Sequence, residues 1–269
     1  MTVVLRQPGL AVAGASFPAV PWAIPSSTVS AGRYLLRFAR TEAELDRILR
    51  LRYEVFNLEL GEGLDEAHAA GRDEDAFDRR FHHLLIEERE SGAIVGTYRM
   101  QTGDMAAESG YYSGSLFQVD GLPEAVRARA VEIGRACVAK PHRNGRVLHL
   151  LWRGLASYLA WNRKSVLFGC CSLTSQDPDF GLAVHRHLVK QGRLHPTLRV
   201  APREDKVCEP VSGTQFPTPK VPALFQAYLT LGARLLGPPA LDRGFKTIDW
   251  LVLLDVEELD RFTFQAFFR

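Results

Sequence analysis

The period of the apolar pattern changes in a fixed order along this chain, and that order restricts the fold more than any other feature. Tyr34–Arg40 alternates like a half-buried strand. Thr41, with Glu44 three residues on, forms a capping box, and the helix it opens puts Leu45, Ile48, Leu49, Arg52, Val55 and Phe56 on one face. Residues 59–80 are polar and glycine-rich, a loop with room for one helical turn. His83–Glu87 and Ile94–Met100 read as apolar strands joined at Ser91-Gly92, and Val131–Val138 as a third of that group. Strands then alternate with helices. A basic turn at Pro141–Arg146 leads into a helix over Val147–Trp161, a buried strand over Val166–Cys171 and a helix over Phe180–Gln191 that Gly192 stops. A crossing with Pro210, Pro217, Pro219 and Pro222 precedes a helix at Ala223–Leu235 and a last strand at Asp249–Asp255. An antiparallel run that gives way to strand–helix alternation predicts one mixed α/β (α+β) layer in a single domain over residues 33–269.

Bulk properties narrow the function classes. A net charge of +2 over 269 residues leaves no global attraction for nucleic acid. Cys137, Cys170, Cys171 and Cys208 form neither a C-x-x-C pair nor a zinc spacing, so they read as reduced thiols of a cytosolic protein, with no metal site. Cys170 and Cys171, being adjacent, would point to opposite faces of a strand. No apolar run approaches the roughly 18–20 residues of a membrane span. The first 32 residues hold four prolines, no acid and one charged side chain, Arg6, which reads as a disordered or loosely packed tail rather than a signal peptide.

Three features carry possible chemistry. Arg52 shares the apolar stripe of the first helix, where a guanidinium is costly unless paired. Residues 59–90 hold eleven acids against four arginines, among them Asp75 and Asp78 at i, i+3; they read either as a solvated loop or as a pocket for a cationic amine. Between Glu132 and Asp177 there is no acid but seven cations: Arg135, Lys140, Arg143, Arg146, Arg153, Arg163 and Lys164. The turn Arg143-Asn144-Gly145-Arg146 within that stretch opens a helix and offers backbone amides to a phosphate, although it is no P-loop. Glu132 sits in an otherwise apolar strand, where desolvation would raise its pKa and suit it to general-base work; an ion pair with a nearby arginine is the alternative. His68 and Asp73 fit an H-x-x-x-x-D pattern only by their spacing, and no serine or cysteine nucleophile elbow is present.

These residues together resemble a known group. Leu51-Arg52-Tyr53-Glu54-Val55-Phe56, Glu59, Asp75-Ala76-Phe77-Asp78, His83-Leu84-Leu85 and Val95-Gly96-Thr97-Tyr98-Arg99 resemble the N-terminal half of ornithine–acyl-carrier-protein N-acyltransferases. The match continues through Glu132–Val138, Leu151–Leu155, Leu167–Leu173, Pro222–Leu224, Tyr228–Ala233 and Asp242, Phe245 and Asp249, in order over roughly residues 34–261. The group has the GNAT fold, a mixed sheet with splayed fourth and fifth strands flanked by helices. It is similar to N-acyl amino acid synthases and acyl-homoserine-lactone synthases. The resemblance implies transfer of a (3-hydroxy)fatty acyl group from an acyl carrier protein to the α-amine of ornithine or a related amino acid. No cofactor is held; the phosphopantetheine thioester is a co-substrate. It further implies substrate contacts from Arg52, Phe56, Asp75, Asp78, Arg99 and Arg135, pantetheine or carrier contacts from Arg143, Asn144, Gly145 and Arg146, Glu132 as base with Glu59 in reserve, and an oxyanion held by backbone amides near Arg135–Cys137. Glu132 and Arg135 reach one site only if the strand bulges between them. The reading requires one cleft joining Arg52, Arg99 and Glu132. The acid-free stretch would steer an acidic carrier protein, and a lipid product implies peripheral contact with the inner membrane. Two rivals stand beside it. An acyl-homoserine-lactone-synthase-like enzyme is disfavoured by Glu62-Gly63-Leu64 where those enzymes carry a tryptophan. A non-catalytic lipid-binding or haemolysin-like protein would have no use for a buried arginine.

Overall fold

The computed structural model describes residues 17–212, 216 and 220–268. The chain enters through a hairpin of β1 (Val29–Ala31) and β2 (Tyr34–Phe38). Thr41 then caps α1 (Glu42–Tyr53): its side chain accepts the Glu44 amide while the Glu44 carboxylate accepts the amide of Thr41. This reciprocal cap satisfies N–H groups that a helix start leaves unpaired. At Glu54–Glu59 the helix widens into a π-type turn with Val55 and Phe56 buried, an irregularity often found beside functional sites. The loop that follows contains the short α2 (Ala67–Ala70). Next come β3 (His82–Glu88), β4 (Ile94–Thr102), α3 (Gly103–Ser109), α4 (Glu124–Ala128) and β5 (Ala130–Val138). A helical crossover, α5 (Gly145–Asn162), leads to β6 (Val166–Leu173) and α6 (Pro178–Lys190). The chain closes with α7 (Ala223–Thr230), β7 (Arg234–Leu235), β8 (Ala240–Asp242), β9 (Thr247–Asp255) and α8 (Arg261–Phe268).

Among the described residues the strands form one nine-stranded sheet in the order β1-β2-β3-β4-β5-β6-β9-β7, with β8 also on β9. Every pairing is antiparallel except β5–β6, the pair that α5 connects. Side chains of alternate parity divide the core. On one face Leu36, Leu84, Tyr98, Ile133, Leu167 and Trp250 pack with α5 and α7. On the other, Leu85 and Cys137 meet Ile48, Leu51 and Val55 of α1, while Phe168 and Leu251 meet Leu116 and Phe117 of the β4–β5 connection. Cys170 and Cys171 fall on opposite faces, as adjacency requires.

Two readings of the sequence need correction. Residues 17–32 are not loosely packed: β1 joins the sheet, Ile24 is buried, and backbone carbonyls of Ala19, Trp22 and Ala23 accept bonds from His82, Trp161 and Asn162. Residues 1–16 lie outside the described residues, as do Pro217 and Pro219. The helix expected over Ala223–Leu235 ends at Thr230, because Gly232 turns to φ 101° and Arg234–Leu235 pairs with β9. No helix among the described residues is long and apolar enough to cross a membrane.

Candidate active site

Two local irregularities open the sheet. The parallel pairing of β5 with β6 runs only from Ala130/Val166 to Glu132/Phe168. At the fork Gly169 approaches so closely that an added Cβ would lie 2.1 Å from the Ile133 carbonyl oxygen, and beyond it the strands part. The second irregularity is a bulge. Thr97 faces Cys137 but Arg99 faces Gly134, so Arg135 and Ala136 share one partner residue on β4, and Arg135 takes a left-handed φ of 48°. The bulge turns the Arg135 side chain to the α1 face, the same face as Glu132, as the sequence reading requires.

A cavity of about 590 Å³ fills the fork and reaches both faces of the sheet. Its arm on the α5 face is apolar, walled by Leu148, Leu151, Leu167, Phe225, Val252 and Leu254, with the Tyr98 and Tyr228 hydroxyls bonded to each other at 2.7 Å. Its arm on the α1 face carries Phe56, Glu62, Tyr112, Arg135, Asp242 and Asp249.

Most of the expected polar site lies elsewhere. Arg52 bonds Asp73 at 2.8 Å and Asp78 at 2.5 Å; Arg99 bonds Asp78 at 2.9 Å and Asp75 at 2.7 Å; Arg135 lies 3.2 Å from Asp75 and 3.3 Å from Asp73. Each arginine thus bridges two aspartates and each aspartate two arginines, a closed alternating ring. The rings of Phe81 and Tyr112 flank Arg99, and those of Tyr112 and Phe245 flank Arg135. Arg52, Arg99, Asp73 and Asp78 are buried and none of the four lines the cavity. Burial pushes the Asp78 carboxyl up, but the guanidiniums of Arg52 and Arg99 outweigh it and hold it well below the usual carboxylate range. Asp75 and Asp78 are therefore occupied by arginine rather than open to a substrate amine. Arg135 alone belongs both to the ring and to the cavity wall.

Glu132, the expected base, is also shut away. One carboxylate oxygen accepts the amide and hydroxyl of Ser113, at 2.7 and 2.6 Å; the other accepts Gln101 Nε2 at 2.8 Å and the Tyr112 amide at 3.0 Å. With four donors on two oxygens and no place on the cavity wall, it anchors the segment that carries Tyr112. Burial raises its pKa, as desolvation predicts. Glu59, the reserve, is gripped in a two-bond fork by Arg143 at 2.6 and 2.7 Å, which holds its pKa down. Among the described residues no single cleft joins Arg52, Arg99 and Glu132, against the expectation from the sequence. Arg143, Asn144 and Gly145 do line the cavity, whereas Arg146 points to Gly32. The Asn144 side chain caps α5 by accepting the amides of Arg146 and Val147, both at 3.1 Å, so those two donors are already used.

Comparison with known proteins agrees with this architecture. Residues 51–153 match the acetyltransferase (GNAT) domain family. Over 238 residues the chain is 32% identical to an L-ornithine N(alpha)-acyltransferase of Rhodobacter capsulatus, covering 84% of this chain and 91% of that one. It is 33% identical to an enzyme of the same name from Agrobacterium fabrum, covering 83% and 81%. The chain belongs to the ornithine N(alpha)-acyltransferase family. It is an N-acyltransferase of the GNAT fold. A CoA-dependent acyl-homoserine lactone synthase solved with MTA superposes with a TM-score of 0.50 at 16% identity, covering 84% of this chain and 81% of that one, which shows the shared fold.

Among the described residues three carboxylates do reach the cavity: Glu62, Asp242 and Asp249. Asp249 on β9 accepts the Ser172 hydroxyl of β6 and, at 2.8 Å, the Thr247 hydroxyl. Glu62 accepts the Thr174 hydroxyl, and Asp242 accepts the Phe245 amide at 2.9 Å. None of the three forms an ion pair among the described residues. Burial pushes Asp249 up to about 7 and raises Glu62. Asp242 and Asp249 stood in the family-like blocks of the sequence without a role, because the lack of a direct ion pair among the described residues is invisible in one dimension. Cys137, Cys170 and Cys171 also line the cavity, but burial pushes each thiol up, away from the thiolate a nucleophile needs.

Proposed function

We propose that this chain moves a (3-hydroxy)fatty acyl group from the phosphopantetheine thioester of an acyl carrier protein to the α-amine of ornithine, giving a lyso-ornithine lipid. The observation that carries the proposal is the cavity that passes through the fork, apolar on one face and lined by acids on the other. The acyl chain fits the apolar arm and the amino acid the acidic one, so thioester carbonyl and amine meet at the fork. The relatives, both L-ornithine N(alpha)-acyltransferases by name, favour ornithine. A second ammonium on the acceptor suits an arm whose carboxylates form no ion pair among the described residues, and Arg135, oriented by its ring, would receive the acceptor's carboxylate. Phe56 walls that arm. Arg52, Arg99, Asp75 and Asp78 serve the site by fixing Arg135.

The donor would enter past Arg143, Asn144 and Gly145, where the acid-free segment faces an acidic carrier. Backbone amides on the edge of β5 past the bulge, where the pairing with β6 has ended, would serve the pantetheine arm and the oxyanion. Attack is direct, since the cavity thiols are held neutral. A product with one acyl chain also makes contact with the inner membrane part of this reading.

The test is to incubate purified protein with ornithine and acyl-loaded carrier protein and follow the product by mass spectrometry. An Nα-acyl-ornithine is expected. A lactone formed on adding S-adenosylmethionine, with ornithine untouched, would reject the proposal, and parallel reactions with acyl-CoA test the choice of donor.

A further inference from the structure

We infer that Asp249 is the catalytic residue that takes the proton from the attacking amine. This rests on the reading above for the identity of the amine, but not for the geometry. Asp249 lines the cavity on the acidic side, opposite Ser172 on the β6 arm of the fork. Each of its oxygens accepts one hydroxyl, Ser172 on one and Thr247 on the other, so each keeps acceptor capacity. Glu132 has none left, Glu59 is neutralised by Arg143, and the ring aspartates are all bridged by arginine. The charged groups that act on Asp249 come from two neighbouring strands, Asp242 of β8 and Arg135 of β5, while Asp249 in turn raises the thiols of Cys170 and Cys171 on β6. It raises Cys208 as well, from the segment that bridges to β8 through Val207. Burial and the like charge of Asp242 favour the neutral acid, while Ser172, Thr247 and Arg135 favour the anion; the balance falls at about 7. A base poised there is matched to an ammonium substrate at neutral pH.

The steps balance. The Asp249 carboxylate accepts one proton from the ammonium and frees its lone pair. That pair forms the C–N bond while the carbonyl π pair moves to oxygen. Collapse restores the carbonyl and breaks the C–S bond; the remaining surplus N–H proton goes to the departing thiolate, and Asp249 returns its proton to solvent. The products are amide, free pantetheine thiol and one released proton.

Asp249→Asn, in the full chain, is the direct test, with thiol release measured against pH. The wild-type kcat/KM should climb through an apparent pKa near 7. The variant should lose at least about 100-fold in kcat, the usual worth of a general base, keep its KM for the amine within a few-fold, and lose that inflection. A variant that retains more than a tenth of wild-type kcat with the inflection intact overturns the assignment. Carboxyl 13C NMR supplies a readout free of turnover. A signal titrating near 7 and missing from Asp249→Asn is expected; titration near the ordinary value of about 4 overturns the inference. The acceptor reading fails separately: wild-type protein that ignores ornithine but acylates another amine rejects that reading, and Asp249 is then judged on that amine.

Discussion

The α1 face of the sheet holds two groups of acids that differ in one respect, the presence of a counter-ion. Asp73, Asp75 and Asp78 are bridged by Arg52, Arg99 and Arg135 into a closed ring. Asp249, Asp242 and Glu62 meet hydroxyls and a backbone amide instead. Asp78 is consequently held far below the usual carboxylate value, and Asp249 is lifted to about 7. Burial is similar, so burial alone does not separate a structural acid from a reactive one. Pairing does. A carboxylate bridged by two guanidiniums has its charge fixed, whereas one held by hydroxyls without an ion pair can exchange a proton at neutral pH.

The largest expected effect is on the ring. Arg52→Ala leaves Asp73 and Asp78 buried beside an empty guanidinium site. Loss of one partner of a buried pair costs about 3–5 kcal/mol, a large share of the roughly 5–15 kcal/mol that holds a domain together. Urea unfolding should show that loss. A change under about 1 kcal/mol would mean the ring is not a structural unit. Acid should act on the same unit: the pKa of Asp78 is depressed on folding, so its contribution is present above the ordinary carboxylate range and is lost as pH falls below it.

Asp249→Asn should invert that outcome, removing turnover while raising stability. Its folded pKa, about 7, lies above the unfolded 3.8, so the stability from neutral Asp249 is complete below pH 3.8 and lost as pH rises through 7. Asparagine mimics the neutral form and escapes the loss. The variant's melting temperature should therefore gain on wild type from pH 4 to 7 and hold that lead above 7. A lead that shrinks with pH would contradict the elevated pKa. Asp242→Asn gives a finer test, since removing the neighbouring like charge should shift the acid inflection of kcat/KM to lower pH without abolishing it.

The apolar arm offers a smaller effect. Val252→Phe adds volume where Val252 walls the cavity on the α5 face. Selectivity should move toward shorter acyl donors, by about tenfold between the longest and shortest, the scale of a methylene or two in an apolar pocket. An unchanged chain-length profile would place the acyl chain elsewhere.

How much of this was legible in the sequence follows from the range of the forces involved. The Thr41 capping box, the α1 stripe and the alternation of strands are local, and each appears where the pattern puts it. The pairing of Arg52 was implied by its place on an apolar face, and the structure supplies the partners, Asp73 among them. Glu132 misled because desolvation is legible in an apolar strand while the donors from Gln101, Tyr112 and Ser113 are not. The short β7 and β8 and the end of α7 depend on pairing with β9, which no local pattern encodes. Asp249 sits in a strand that reads as plain core. Its significance comes from what does not surround it.

The smallest effect is expected at Glu59, and it sharpens the same contrast at the surface. Glu59 and Arg143 form a fork on a partly exposed flank, with side-chain exposures of 25% and 38%. Such pairs contribute about 0–1 kcal/mol. Glu59→Gln should therefore leave stability and kcat with ornithine close to wild type. Any effect should fall on the KM for the acyl carrier protein, because Arg143 loses the anion that competes with an acidic partner for it. The sign follows from the charge: a freed Arg143 attracts the carrier more strongly, so KM should drop at low salt and the difference should fade as salt screens it. A large fall in kcat would instead restore Glu59 as a proton acceptor and count against Asp249.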